Sequence, residues 1–225
     1  MDKITYKKII TGDKSTTFVC SKYDEAYHSL TGAKEEAFKK YSEPCKIKEL
    51  AKKGEIKILD VCFGLGYNSA AALETALNSN SECKMEIIGL ENDEGILNKA
   101  LELDPKIKHY DLIQETIKNK DKKYEKNNIK IQILLGDAQE TIKEIQKTKK
   151  QFDAVFFDPF SPRKCPELWT AEFFSDVNKV MKKGAILATY SCAKPMRKNM
   201  EKAGFIVKDG PIVKRWSPGT LGIKK

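Results

Sequence analysis

Residues 56–68 read IKILDVCFGLGYN: a β-prone run, an aspartate within it, then two glycines one residue apart. Isoleucine and valine suit a buried strand. Glycine lets the chain turn tightly and brings backbone close to a ligand. The stretch that follows, NSAAALETALNS (68–79), is rich in small residues and reads as a helix. Strand, glycine turn and helix make the opening unit of a doubly wound α/β sheet, which binds ligands beyond the carboxyl ends of its strands. The G-x-G pair is weak on its own, and a structural turn fits it as well. A dinucleotide fingerprint has a third glycine where Ser69 stands, so a nicotinamide cofactor is not expected.

The pattern repeats downstream. MEIIGLE (85–91), IKIQILLGDA (129–138), FDAVFFD (152–158), GAILATYS (184–191) and FIVKDG (205–210) read as further strands. Between them NDEGILNKALEL (92–103), AQETIKEIQK (138–147), TAEFFSDVNKVM (170–181) and KPMRKNMEKAG (194–204) read as helices, the last stopping at Gly204. Such alternation predicts a mostly parallel, doubly wound α/β sheet. Residues 1–50 suggest a hairpin near 11–19 and a helix near 29–40, an extension packed on a core domain of 51–225. Residues 104–128 read as a polar, mostly helical insertion, with KNKDKKYEKNN as a solvated, mobile face.

The strand ends carry acids. Glu91 closes the second strand, where a carboxylate can accept from both hydroxyls of a ribose. Asp137 follows Gly136 at the third and can accept from an adenine amino group. Asp158 closes the fourth. One such acid is ordinary, a helix cap or turn former. Gly-x-Gly, Glu, Gly-Asp and Asp at four successive strand ends is the layout of a class I S-adenosylmethionine-dependent methyltransferase with a Rossmann-like sheet.

Asp158 also opens the loop DPFSPRKCPELWT (158–170). Its prolines stiffen the backbone. A carboxylate there can orient an amine and take its proton. Trp169 reads either as a ring for stacking on a base or as the anchor of a helix start. Arg163 and Lys164 read as phosphate contacts or as an ordinary solvated pair. Tyr27 and His28 are candidates to close over the cofactor, His28 the weaker of the two.

Composition bounds the rest. Hydrophobic residues make up 40% and charged residues 32% of 225, and no apolar run approaches membrane-span length, so a soluble, cytoplasmic protein is expected. Six cysteines without a C-x-x-C pair, beside two histidines, argue against zinc and suit a reducing compartment. Of 41 Lys and Arg residues, eleven lie in 181–225 against two acids, so the first 180 residues are neutral and the C-terminal fifth holds the whole excess of +9. A one-sided basic segment predicts a polyanionic partner, nucleic acid above all. Lys194, Arg197 and Lys198 are its candidate contacts.

DVCFGLGYN, GLEND, GDA and DPFSPRKCPELWT resemble the methyltransferase domain of the MnmC-type tRNA enzymes, which make 5-methylaminomethyl-uridine at the wobble position. AYHSLTGAKEE (26–36) and RWSPGTLG (215–222) resemble the family's opening and closing motifs. The sequence departs from the commoner bacterial pattern at Leu65, where that pattern has Thr, and at Pro159–Pro162, where it has Gly-Phe-Ala-Pro. Ending at Lys225, it resembles the stand-alone form without a flavin oxidase domain. The resemblance implies S-adenosylmethionine as cofactor, no metal, no flavin, tRNA as partner, no membrane, and a separate enzyme that supplies the aminomethyl precursor. It implies cofactor contacts from Tyr27, Phe63, Gly64, Gly66, Asn68, Glu91, Asn92, Asp137 and Ala138. It implies Asp158 as the catalytic residue, with Phe160, Arg163, Lys164 and Trp169 on the substrate side.

Two alternatives share the fold. An aminopropyltransferase of the polyamine-synthase type would want a richer glycine loop and an acid pair around Asp158, and neither is visible in the sequence. A non-catalytic RNA-binding module would have no need of the strand-end acids.

Overall fold

The computed structural model describes residues 4–214 and 216–225. Arg215, counted above in the basic segment and the closing motif, lies outside the described residues.

The chain opens with β1 (Tyr6–Ile10), β2 (Thr16–Cys20) and β3 (Glu25–Ala26), a small antiparallel sheet. The expected hairpin is therefore present, its turn at 11–15. Asp13 holds that turn, accepting from Thr11 and Ser15, and its other oxygen accepts from Glu35 N at 2.8 Å. The expected helix is short: α1 (Ala33–Glu36) continues as a π-helical turn, Ala37–Ser42, and α2 (Ile47–Ala51) follows. Such wider turns often deliver side chains to functional sites, and this one delivers Lys40 and Tyr41.

The core alternates β4 (Glu55–Val61), α3 (Tyr67–Ser79), β5 (Lys84–Glu91), α4 (Glu94–Ala100), α5 (Tyr110–Lys118), β6 (Lys123–Lys126), β7 (Ile129–Leu135), α6 (Ala138–Lys147), β8 (Phe152–Phe157), α7 (Ala171–Lys179), β9 (Met181–Thr189), α8 (Lys194–Lys202), β10 (Phe205–Asp209) and β11 (Thr220–Lys224). The sheet order is β10-β11-β9-β8-β4-β5-β7-β6. The five strands from β9 to β7 run parallel, and β4 pairs with β5 on one side and β8 on the other. The order reverses beside β4, which makes its carboxyl end the switch point where such sheets bind ligands. Ile56, Ile58, Leu59 and Val61 are all buried, as befits a central strand covered on both faces. One face packs α2 to α5 and the other α6 to α8, each over its own apolar cluster.

Two features of the fold go beyond the sequence reading. Residues 104–128 carry a helix and 118–128 are mostly exposed, but the insertion is not polar throughout. Tyr110, Ile113 and Ile117, spaced for one helix face, bury α5 in the core, and Lys123–Lys126 pairs antiparallel with β7 as an edge strand. The closing motif runs into a strand of its own, β11, which inserts antiparallel between β9 and β10. Among the described residues no helix is long and apolar enough to cross a membrane.

Candidate active site

The loop after β4 is held by alternating left-handed residues: Cys62 at φ 64°, Gly64 at 54° and Gly66 at 76°. Cysteine rarely adopts that conformation, so Cys62 is a strained point at the switch position. The Phe63 ring braces the loop from below. A Cβ on Gly89 of β5 would lie 2.4 Å from it, and one on Gly66 2.9 Å. Gly64 keeps the loop close to the Tyr27 ring, which a Cβ there would approach to 3.3 Å.

Glu91, at the end of β5, is buried and faces this loop. Its Oε2 accepts from Gly64 N at 2.7 Å, and its Oε1 accepts from Asn92 N and Asp93 N at 2.9 Å each. Desolvation pushes its carboxyl up to about 7, against the pull of those three N–H groups. A carboxylate has about four acceptor sites, so one on Oε2 is left for a ligand hydroxyl. Asp93 ties the N-terminal sheet down, accepting from Tyr6 OH at 2.7 Å and Tyr27 OH at 3.1 Å.

On the other side of β4, Asp158 follows β8. Its Oδ1 accepts from Tyr41 OH at 2.5 Å and its Oδ2 from Asn68 Nδ2 at 2.9 Å. Desolvation, then the charge of Glu36, raise its carboxyl to about 7, while Tyr41, Asn68 and Lys40 pull the other way. Glu36 is buried, paired with Lys40 at 2.7 Å, and accepts from Ser29 N at 2.7 Å. Phe160 stacks on Tyr23 at 4.4 Å and meets Tyr27 edge-on at 4.9 Å. Ser161 donates from N and Oγ to Glu25, pinning the loop to β3. His28 stacks on Tyr67, bonds Thr17 Oγ1 through Nδ1, and is held down at about 4 by burial, so it is neutral at pH 7.

These groups enclose a cavity of about 260 Å³. Of the residues singled out in the sequence it brings together Tyr27, His28, Phe63, Gly64, Glu91, Asn92, Asp158 and Phe160, with Glu36, Cys62 and Tyr190 besides. Gly66 caps α3 behind the loop, and Asn68 serves Asp158 rather than the cavity. Asp137 is exposed and caps α6 through Gln139 N at 2.8 Å, while Ala138 is the buried first residue of that helix. Asp137 still adjoins the site, since Gly136 N donates to Glu91 O at 2.8 Å.

Three substrate-side readings change. Trp169 is no stacking surface: it is 3% exposed, packs on Phe157, Phe174 and Tyr190, and donates from Nε1 to Phe160 O at 2.9 Å. Arg197 is half-buried and tied into the fold, donating to Thr220 Oγ1 and Gly219 O and pairing with Asp209. The absence of an acid partner for Asp158 also fails as an argument, because Glu36 stands near enough to perturb it. Arg163, Lys164, Lys194 and Lys198 are exposed, outside the cavity. Glu36 and Asp93 stand inside the quoted motifs AYHSLTGAKEE and GLEND but were given no role there, and Tyr41 carried no sequence signal.

The site accommodates S-adenosylmethionine on three observations. Gly64 presents no side chain to Tyr27, Glu91 retains an acceptor beside it, and Glu91, Gly64 and Tyr27 all line the same cavity. Among those residues no group of His, Cys, Asp and Glu could hold a metal ion.

Comparison with known proteins agrees. The sequence model of a family described as S-adenosyl-L-methionine-dependent methyltransferase matches residues 103–225. A protein of Methanocaldococcus jannaschii, MJ0670, is 33% identical over 219 residues, covering 95% of this chain and 58% of that protein. The bifunctional protein MnmC of Pseudomonas fluorescens, named for tRNA 5-methylaminomethyl-2-thiouridine biosynthesis, is 26% identical over 86% of this chain and 31% of its own length. The chain thus spans between about a third and three-fifths of these curated relatives. Spermidine synthase of Thermotoga maritima, 14% identical with a TM-score of 0.62, shares the fold. The crystal structure of MnmC2 from Aquifex aeolicus superposes with a TM-score of 0.86 at 33% identity, covering 98% of this chain and 71% of that one. With the glycine loop, Glu91 and Asp158 at adjoining strand ends of this sheet, the chain belongs to the S-adenosylmethionine-dependent methyltransferases, in the family of MnmC2.

Proposed function

We propose that the chain methylates an amine, the 5-aminomethyl group of a wobble uridine in tRNA, giving 5-methylaminomethyl-uridine. The observation that carries this reading is Asp158, a carboxylate raised to about 7 and held by Tyr41 and Asn68 on the cavity wall beside the glycine loop. The names of the MnmC relatives support the tRNA substrate, and the basic C-terminal fifth supports a polyanion. A separate enzyme supplies the aminomethyl precursor, and the work is done in the cytoplasm, where tRNA is.

When bound, S-adenosylmethionine supplies a methyl group on a positively charged sulfur. Glu91 would accept from a ribose hydroxyl of that cofactor, and Cys62–Gly64 would line the same ligand. An alkylamine is protonated at neutral pH and cannot act as a nucleophile until a proton leaves. Asp158, in its ionised form, takes that proton and leaves the nitrogen lone pair free. Tyr41 and Asn68 fix the carboxylate by donating to both oxygens, so its approach to the amine is set before substrate arrives. Tyr23, Tyr27 and Phe160 wall the site with aromatic rings and keep water from the nitrogen.

Single-turnover transfer of labelled methyl to aminomethylated and to unmodified tRNA tests this. Transfer to the first alone is expected, with a rate that climbs as pH rises through about 7. Equal labelling of both would sink the aminomethyl substrate. A second reading, aminopropyl transfer, is favoured by the carboxylate of Glu36 beside Asp158. Incubation with putrescine and decarboxylated S-adenosylmethionine should give no spermidine, and its formation would replace the first reading.

A further inference from the structure

Trp216 is fully exposed, and no packing accounts for it. The other tryptophan, Trp169, is buried in the core. Tryptophan is enriched at interaction surfaces, where its ring is covered and its N–H stays wet.

The loop that presents Trp216 is built. Its base is closed by Gly210 N to Gly219 O at 2.9 Å and Gly219 N to Pro211 O at 3.2 Å. Val213 is buried beneath it, and Lys214 pairs with Glu35 at 2.5 Å. On its other side Thr220 Oγ1 donates to Ser191 O at 2.6 Å, and Arg197 donates to Gly219 O and Thr220 Oγ1. Both roots are tied to residues next in sequence to cavity-lining ones: Glu35 precedes Glu36, and Ser191 follows Tyr190. Beside the second root, α8 exposes Lys194 and Lys198, one turn apart.

An aromatic ring in water, on a loop whose base is tied to the lysine-bearing helix α8, suits one chemistry. Unpaired bases stack on such rings while cations follow the phosphates, whereas a duplex hides its base faces. We propose that Trp216 is a stacking platform for an unpaired base of a single-stranded RNA loop, seated beside the cavity with Lys194 and Lys198 on the backbone. The proposal rests on the reading of the substrate as RNA.

The test uses the whole chain without a methyl donor. A synthetic RNA hairpin with an unpaired loop should quench the exposed tryptophan emission, and a blunt duplex of the same stem should not. Trp216→Phe should remove the quench while the emission of Trp169 stays unchanged, which also reports the fold. Trp216→Ala should bind the hairpin about tenfold more weakly, with Trp216→Phe nearer the parent. Equal hairpin affinity of Trp216→Ala and the parent overturns the platform, as does equal quenching by the duplex. Emission that shifts with protein concentration in the absence of RNA would mark a second copy of the chain as the occupant and overturn it too. Loss of methyl transfer to RNA with loop-specific quenching intact would instead overturn the proposed reaction and uphold the platform.

Discussion

At the scale of the residue, Asp158 carries two opposed demands. Its environment raises the carboxyl from the usual range to about 7, and the proposed proton transfer needs it ionised. Asp158→Asn should lower single-turnover methyl transfer by about 10²–10⁴-fold, the usual range for a positioned acid or base, with cofactor affinity largely spared. A transfer rate near that of the parent would return the residue to its bland role as a turn former. The same substitution has a signature in stability. A folded-state value above the unfolded one gives stability that is complete below about pH 4 and is lost as pH rises through about 7. Asparagine does not titrate, so Asp158→Asn should gain stability relative to the parent between about pH 4 and 8. Glu91 titrates in both proteins and cancels in the difference. Thermal melts of the two apo-proteins across that range would show it, and parallel pH curves would contradict it.

At the scale of the element, Arg197 shows what a sequence conceals. In the one-dimensional pattern it is one of eleven bases in a basic tail. In the fold its guanidinium joins α8 to the β10–β11 hairpin through Thr220, Gly219 and Asp209. Arg197→Ala should therefore destabilise the protein by about 1.5–3 kcal/mol, the scale of hydrogen bonds to a charged group. Lys198→Ala, on the same helix but exposed, should leave the melting temperature within a degree or two. Similar shifts for both would show that the guanidinium is not a structural tie. The parallel strands were legible because each is a short apolar run followed by a turn signal, and Gly64, Glu91 and Asp158 because they sit at strand ends, where position alone implies a role. The edge strand β6 and the inserted strand β11 were not, since Lys-rich or Gly-containing segments read as loops until a neighbour supplies hydrogen-bond partners. Glu36, Tyr41 and Asp93 act across long sequence separations, which no local period encodes. Trp169 and Trp216 have the same side chain and opposite fates, decided by whether a cluster such as Phe157 and Phe174 closes over the ring.

At the scale of the whole molecule, charge is segregated: the first 180 residues balance, and the surplus lies in the fifth that carries α8 and the Trp216 loop. RNA affinity should fall with salt, each neutralised phosphate contributing about −0.7 to −0.9 to the slope of log affinity against log salt. Lys194→Gln with Lys198→Gln should flatten that slope by about 1.4–1.8. Binding isotherms at several salt concentrations would measure it, and an unchanged slope would move the RNA backbone elsewhere, Arg163 and Lys164 being the next exposed cations beside the cavity loop. The sheet itself has a further consequence. An open sheet of eight strands ends in two rows of unpaired backbone groups, each able to recruit a strand from another molecule. Here the outermost strands are β6, KYEK, and β10, FIVKD, short and carrying Lys123, Lys126 and Lys208. Replacing Lys123, Glu125 and Lys126 together by valine would make β6 apolar and strand-prone, and light scattering should then report growing aggregates as the protein is concentrated. If particle size stays constant, charge is not what protects that margin. If it grows, the lysines of a segment that looks like filler keep a cofactor-binding enzyme from polymerising along its own sheet.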